Sequence, residues 1–91
     1  MNSASTRRRR RTIDTSAYLA MVARVVTNGG VRAAEGDIDD FRQLLELRAV
    51  LDDALVEAVR GLRESGFTWE DIGAASGTTR QAAILRWNPK L

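Results

Sequence analysis

The chain has 91 residues, an apolar share of 44%, and neither cysteine nor histidine, which is enough for one small core and excludes disulfides, thiolate metal sites and catalysis by Cys nucleophiles or His bases. Its net charge of +2 is unevenly spread: Arg7 to Arg11 supply five positive charges, residues 12–65 carry six Arg against ten Asp or Glu, and residues 66–91 carry three cations against two acids. A chain basic at both ends and acidic between them can meet a polyanion only with its ends.

No apolar run approaches the ~20 residues of a membrane helix, and no apolar segment follows the basic run as it would in a secretory signal. A cytoplasmic protein with no membrane partner is therefore expected. No local pairing of serines and carboxylates stands out as a catalytic unit. The chain is not read as an enzyme, and no cofactor, metal or small-molecule ligand is expected.

Residues 1–12, MNSASTRRRRRT, contain almost nothing apolar. Such a segment cannot bury enough surface to offset the entropy of ordering it, so a disordered basic arm is expected. The remainder, residues 13–91, reads as a single all-α domain of four helices.

The first helix is expected from about Thr15 to Asn28, capped by Asp14 or Thr15. Leu19, Val22 and Val26 share its apolar stripe, and Asn28-Gly29-Gly30 supplies a glycine stop. Residues 30–36, GVRAAEG, then read as a loop. A long second helix starts at Asp37, with Asp40 assisting its N-terminus, and runs to Ser65, where Gly66 ends it. Its charges gather on one stripe (Asp39, Arg42, Glu46, Asp53, Glu57, Arg60 and Glu64), leaving an apolar arc too wide for one neighbour to cover. Leu47, Val50 and Ala54 on that arc, with Arg48 and Asp52 interrupting it, form a candidate homodimer interface. Arg48 and Asp52 are either a local ion pair or a pair that meets its own copy across the interface.

After Gly66 comes FTWEDIGAASGTTRQAAILRWNPKL. Thr68 with Asp71 three residues on makes a capping box for a short helix, Trp69 to Ala75. Gly77 breaks it, and Thr78 with Gln81 reads as a second box for a last helix from Thr79 to about Trp87. Two short helices joined by a glycine turn, residues 67–88, make a helix-turn-helix. Its close crossing needs a small residue, Gly73, beside an apolar one, Ile72. Ala83 and Trp87 pack inward from the last helix. The end of the long helix, through Leu51, Leu55, Val59 and Leu62, provides the third wall.

The stretch FTWEDIGAASGTTRQAA resembles the helix-turn-helix of small actinobacterial and phage DNA-binding proteins, whose motif runs roughly [ST]-W-x-x-I-G-x-x-x-G-x-[ST]-R-Q-A-A. More distantly it is similar to the DNA-binding end of sigma factors. The resemblance covers about twenty residues, to which AVRGLRESG adds a typical preceding segment. Ser76 and Thr78 stand where the motif usually has apolar residues, and Ile84 and Leu85 where it has polar ones. The resemblance implies that Thr78, Thr79, Arg80, Gln81, Ile84 and Leu85 lie at or near double-stranded DNA, with the last helix in the major groove. Arg80 can fork onto guanine, Gln81 onto adenine, and Ile84 or Leu85 can meet thymine methyls. Thr78 or Thr79 can hold a phosphate. Arg7, Arg8, Arg9, Arg10 and Arg11 fit a DNA-contacting arm.

The expected function is sequence-specific binding of double-stranded DNA as a homodimeric transcriptional regulator, associated with the nucleoid when bound. The same chemistry would serve an accessory factor in recombination, plasmid maintenance or phage packaging. A reading of another class is a protein-interaction module that docks through Ile84, Leu85 and the long helix.

Overall fold

The computed structural model describes residues 14–91 in full, together with the backbone of residues 3–13. The expected contact of Arg7 to Arg11 with DNA lies outside the described side chains, and the backbone of residues 3–12, expected as a disordered arm, is helical. Among the described residues the protein is all-helical: α1 (Ser3–Glu35), α2 (Ile38–Glu64), α3 (Trp69–Ala75) and α4 (Arg80–Trp87), closed by a single 3-10 turn at Asn88–Lys90. The chain divides into two compact units, Met1–Leu45 and Glu46–Leu91.

In the first unit the expected boundaries of α1 are not observed. Asp14 and Thr15 lie inside the helix rather than at its cap, and Asn28-Gly29-Gly30 does not end it. The expected loop at residues 30–36 is helical as far as Glu35. A helical glycine costs only about 1 kcal/mol relative to alanine, so two of them do not force a stop. The link to α2 is Gly36-Asp37 alone, which brings Leu44 opposite Gly29. A Cβ built on Gly29 would sit 3.5 Å from Leu44 Cδ1. Gly29 therefore marks a contact between helices.

The start of α2 follows the expected chemistry. Asp37 Oδ1 accepts from the Asp39 N–H at 2.9 Å, and Asp40 Oδ2 accepts from the Asp37 N–H at 3.0 Å. Unpaired backbone donors at the helix start are met by short carboxylates, which also suit the positive end of the helix dipole. Val22, Gly29, Ala33 and Leu44 are half-buried in this unit. Tyr18, Leu19, Val25, Val26, Ile38 and Phe41 are exposed.

The second unit holds the core. Val59 of α2, Trp69 and Ile72 of α3, and Ala83 and Trp87 of α4 are buried together, with Val56 and Ile84 packed against them. The expected third wall is corrected here. Val59 faces the core, supported by Val56 one turn earlier, whereas Leu51, Leu55 and Leu62 are exposed. The helix presents one side to α3 and α4, and residues three or four apart share it. Val59 is at the centre of that side and Val56 on one flank, whereas Leu55 and Leu62 lie on the opposite flank and stay exposed, with Leu51 further out.

Both turns of this unit end a helix in the same way. Gly66 has φ +98° and Gly77 has φ +70°, the left-handed region that glycine enters without steric cost. At the first turn the Phe67 N–H reaches back to Leu62 O at 3.0 Å and the Gly66 N–H to Arg63 O at 3.1 Å. At the second the Thr78 N–H reaches Gly73 O at 2.8 Å and the Gly77 N–H reaches Ala74 O at 3.2 Å. These paired back-bonds satisfy carbonyls that a helix end leaves open, in a Schellman arrangement.

Candidate nucleic-acid interface

The capping box of α3 is complete. Thr68 Oγ1 accepts from the Asp71 N–H and Asp71 Oδ2 accepts from the Thr68 N–H, each at 3.0 Å. The bond from the Thr68 backbone N–H, and after it the one to the Thr68 side chain, holds the Asp71 carboxyl below its ordinary range. Arg63 fixes the approach to this helix. Its Nη1 donates to Phe67 O at 2.8 Å, and its guanidinium lies 5.0 Å from the centre of the Trp69 ring. That stacking covers the outer face of a buried indole with a cation.

Gly73 decides how α3 and α4 meet. A Cβ there would come within 2.8 Å of Thr79 O and 2.9 Å of its carbonyl carbon. The backbone entering α4 thus lies against the backbone of α3, a proximity that only glycine permits. Ser76 does not supply the apolar contact usual at its position. Its hydroxyl instead donates to Ile72 O at 2.6 Å, within the last turn of α3.

The cap of α4 differs from the expected box. Thr79 is the N-cap, with its Oγ1 accepting from the Ala82 N–H at 3.0 Å. Thr78 with Gln81 is not the pair that caps this helix. Both threonines precede the helix, and the sequence does not distinguish them. The Thr78 N–H is committed to the Gly73 carbonyl, which leaves Thr79 in the extended conformation of an N-cap, with φ −83° and ψ 162°.

With that frame set, each side chain of α4 has a defined side. Ala83 is 0% exposed and Trp87 is buried, so both face inward as expected. Ile84 is half-buried against the core, so most of its surface is committed to packing rather than to the outer face. Thr78, Thr79, Arg80, Gln81 and Leu85 are exposed, and Leu85 is 69% exposed. Gln81 and Leu85 are four residues apart and stand one above the other. Arg80 opens the helix on the side of Ile84. Arg86 lies 5.0 Å from the centre of the Trp87 ring. From Thr78 to the last residue the chain carries Arg80, Arg86 and Lys90 and no acid.

The candidate dimer residues Leu47, Arg48, Val50, Asp52 and Ala54 are all exposed on α2. Leu47, Val50 and Ala54, spaced by three and four, share one side, while Arg48 and Asp52 share another. The ion pairs on α2 are Asp39–Arg42 and Glu57–Arg60. Arg48 and Asp52 are not joined, so the local-pair reading of these two is corrected.

Two residues that the sequence did not assign to the site take part in building it, Arg60 having been read only as part of the polar stripe of α2. Arg63 has been described, and Arg60 extends Nη2 toward Lys90 O at 3.4 Å. Their signal was available in the position of Arg63 one turn before a glycine stop that an aromatic follows. Among the described residues no helix is long and apolar enough to cross a membrane, and no group of three acidic side chains could hold a metal ion.

Set against known protein families, curated proteins and solved structures, the chain matches none.

Proposed function

We propose that the protein binds double-stranded DNA, with α3, the Gly77 turn and α4 acting as a helix-turn-helix, and that it serves as a small transcriptional regulator. One observation carries this reading: the polar start of α4 is left open while its other side is fully used. Arg80 and Gln81 are exposed, and their backbone N–H groups are the two at the helix start that Thr79 does not satisfy, since Thr79 takes those of Ala82 and Ala83. Open N–H groups at the positive end of a helix suit a phosphate. Gln81 presents an amide that can bridge adenine N6 and N7, and Arg80 a fork that matches guanine O6 and N7. From Thr78 onward the charged side chains are all positive, which suits a polyanion.

One such helix spans only a few base pairs, and a homodimer that pairs two half-sites supplies the remaining affinity. The exposed Leu47, Val50 and Ala54 provide a surface for it. The direct test is titration of the full chain with a pool of random duplexes, followed by selection of bound sequences. Recovery of a shared site supports the reading. A chain that binds no duplex at low salt refutes it.

A second reading, as a protein-docking module, rests on the exposed apolar residues. Leu85 at 69% and Val50 at 61% are large side chains that water covers poorly. The same titration separates the two, because a docking module shows no affinity for duplex DNA.

A further inference from the structure

The proposed DNA face contains one residue that polar readout does not use. Leu85 is 69% exposed, on a helix whose inward side is already filled by Ala83 and Trp87, with Ile84 beside them. It therefore has no packing role in this unit. It stands one turn beyond Gln81 on the same side of α4. The exposed cations of this segment are Arg80 at the helix start, Arg86 next to Leu85 in sequence, and Lys90 beyond, with no acid among them. Charge complementarity makes the occupant of this face an anion, and the leucine requires that anion to carry an apolar spot. The major groove of DNA has one, the C5-methyl group of thymine.

We propose that Leu85 is a specificity-determining residue that reads a thymine methyl, about two base-pair steps along the groove from the base met by Gln81. The inference rests on the reading that α4 enters the groove, and it adds a commitment that reading does not make. The bound site contains a thymine whose methyl group contributes to affinity, and the contribution passes through Leu85. Geometry supports the pairing. Residues four apart on a helix are separated by about 6 Å along its axis, close to two base-pair steps of about 3.4 Å. A helix lying along the groove thus presents Gln81 and Leu85 to different base pairs.

The test uses the full chain and a duplex selected from a random pool. Each thymine is replaced in turn by deoxyuridine, which keeps the base pairing and removes only the methyl group. Burial of one methyl-sized group corresponds to about fourfold in affinity. The expected result is that one replacement weakens wild-type binding by about fourfold. In Leu85→Ala the same replacement has no effect, and the variant binds the unmodified duplex more weakly by at least that factor. Leu85 is exposed, so the variant keeps its fold, which circular dichroism verifies. If no replacement weakens wild-type binding, or if the loss persists in Leu85→Ala, the proposal is overturned while DNA binding stands. If the wild-type chain binds no duplex, the proposal and the proposed function fall together.

Discussion

Thr78 and Thr79 show how much a single residue position decides. Both are short hydroxylic side chains ahead of the same helix, and either would serve as a cap by type. The back-bond from the Thr78 N–H to Gly73 O places Thr78 in the turn and hands the cap to Thr79. Loss of a threonine cap costs about 1 kcal/mol. Thr79→Ala is expected to lower stability by about that amount in denaturant titrations, and Thr78→Ala by clearly less. Equal losses would show that the cap is shared. Gln81→Ala is expected to leave stability unchanged, since Gln81 is not part of a capping box. Asp71 gives a prediction in pH. Its carboxyl titrates below its ordinary range in the folded protein, because the Thr68 backbone N–H and then the Thr68 hydroxyl favour the charged form. A depressed folded value stabilises the protein above the unfolded value near 4. That contribution is lost as pH falls through the folded value. Asp71→Asn is therefore expected to lose less stability than wild type between neutral pH and about pH 3, measured by the denaturant midpoint at each.

Among the elements, those near Gly77 were the most legible from sequence and those near Gly29 the least, for one physical reason. At Gly77 several local signals coincide: a capping box three residues wide, a small residue, a left-handed glycine, and an alanine with a tryptophan at helical spacing. Each is satisfied by neighbours close in the chain, so α3 is found at Trp69–Ala75 as expected. At Gly29 the only signal was glycine itself, and its role depends on Leu44 in the next helix. A contact between separate elements leaves no mark within one segment, and the helix continues past the expected stop. The third wall failed similarly. Val59 was expected there beside Leu51, Leu55 and Leu62, and of these four only Val59 is buried, with Val56 packed against it. Gly73 offers the sharpest test of element packing. Gly73→Ala places a methyl group 2.8 Å from Thr79 O, a clash with backbone. Overpacking of this kind costs about 1–3 kcal/mol, so the melting temperature is expected to fall by about 4 °C or more. An unchanged melting temperature would show that α3 and α4 separate easily. On α2, Leu47 is 43% exposed and Val50 is 61% exposed, so Leu47→Glu or Val50→Glu is expected to keep its helical circular dichroism. If the side they share pairs two copies, sedimentation moves from dimer to monomer. A wild-type chain that sediments as a monomer at concentrations of tens of micromolar would oppose the dimer.

For the molecule as a whole, the charges at the two ends of the sequence are assigned different work. The arginines at residues 7–11 are proposed to neutralise phosphates, and the residues of α4 to read bases. Each phosphate neutralised contributes about −0.9 to the slope of log affinity against log salt. Deletion of residues 1–11 is thus expected to weaken binding on every sequence alike and to flatten that slope by about 0.9 for each arginine engaged. An unchanged slope would mean that the arm does not touch DNA. The measurement that reaches the central claim most directly is the affinity of wild type, Arg80→Ala and Gln81→Ala for a selected duplex and for a random one, at fixed salt. A bidentate base contact discriminates by about 1–3 kcal/mol. Each variant is expected to bind the selected duplex about tenfold to a hundredfold more weakly and the random duplex unchanged, with its fold intact. Equal losses on both duplexes would make these residues phosphate contacts, and no loss on either would contradict the placement of α4 in the groove.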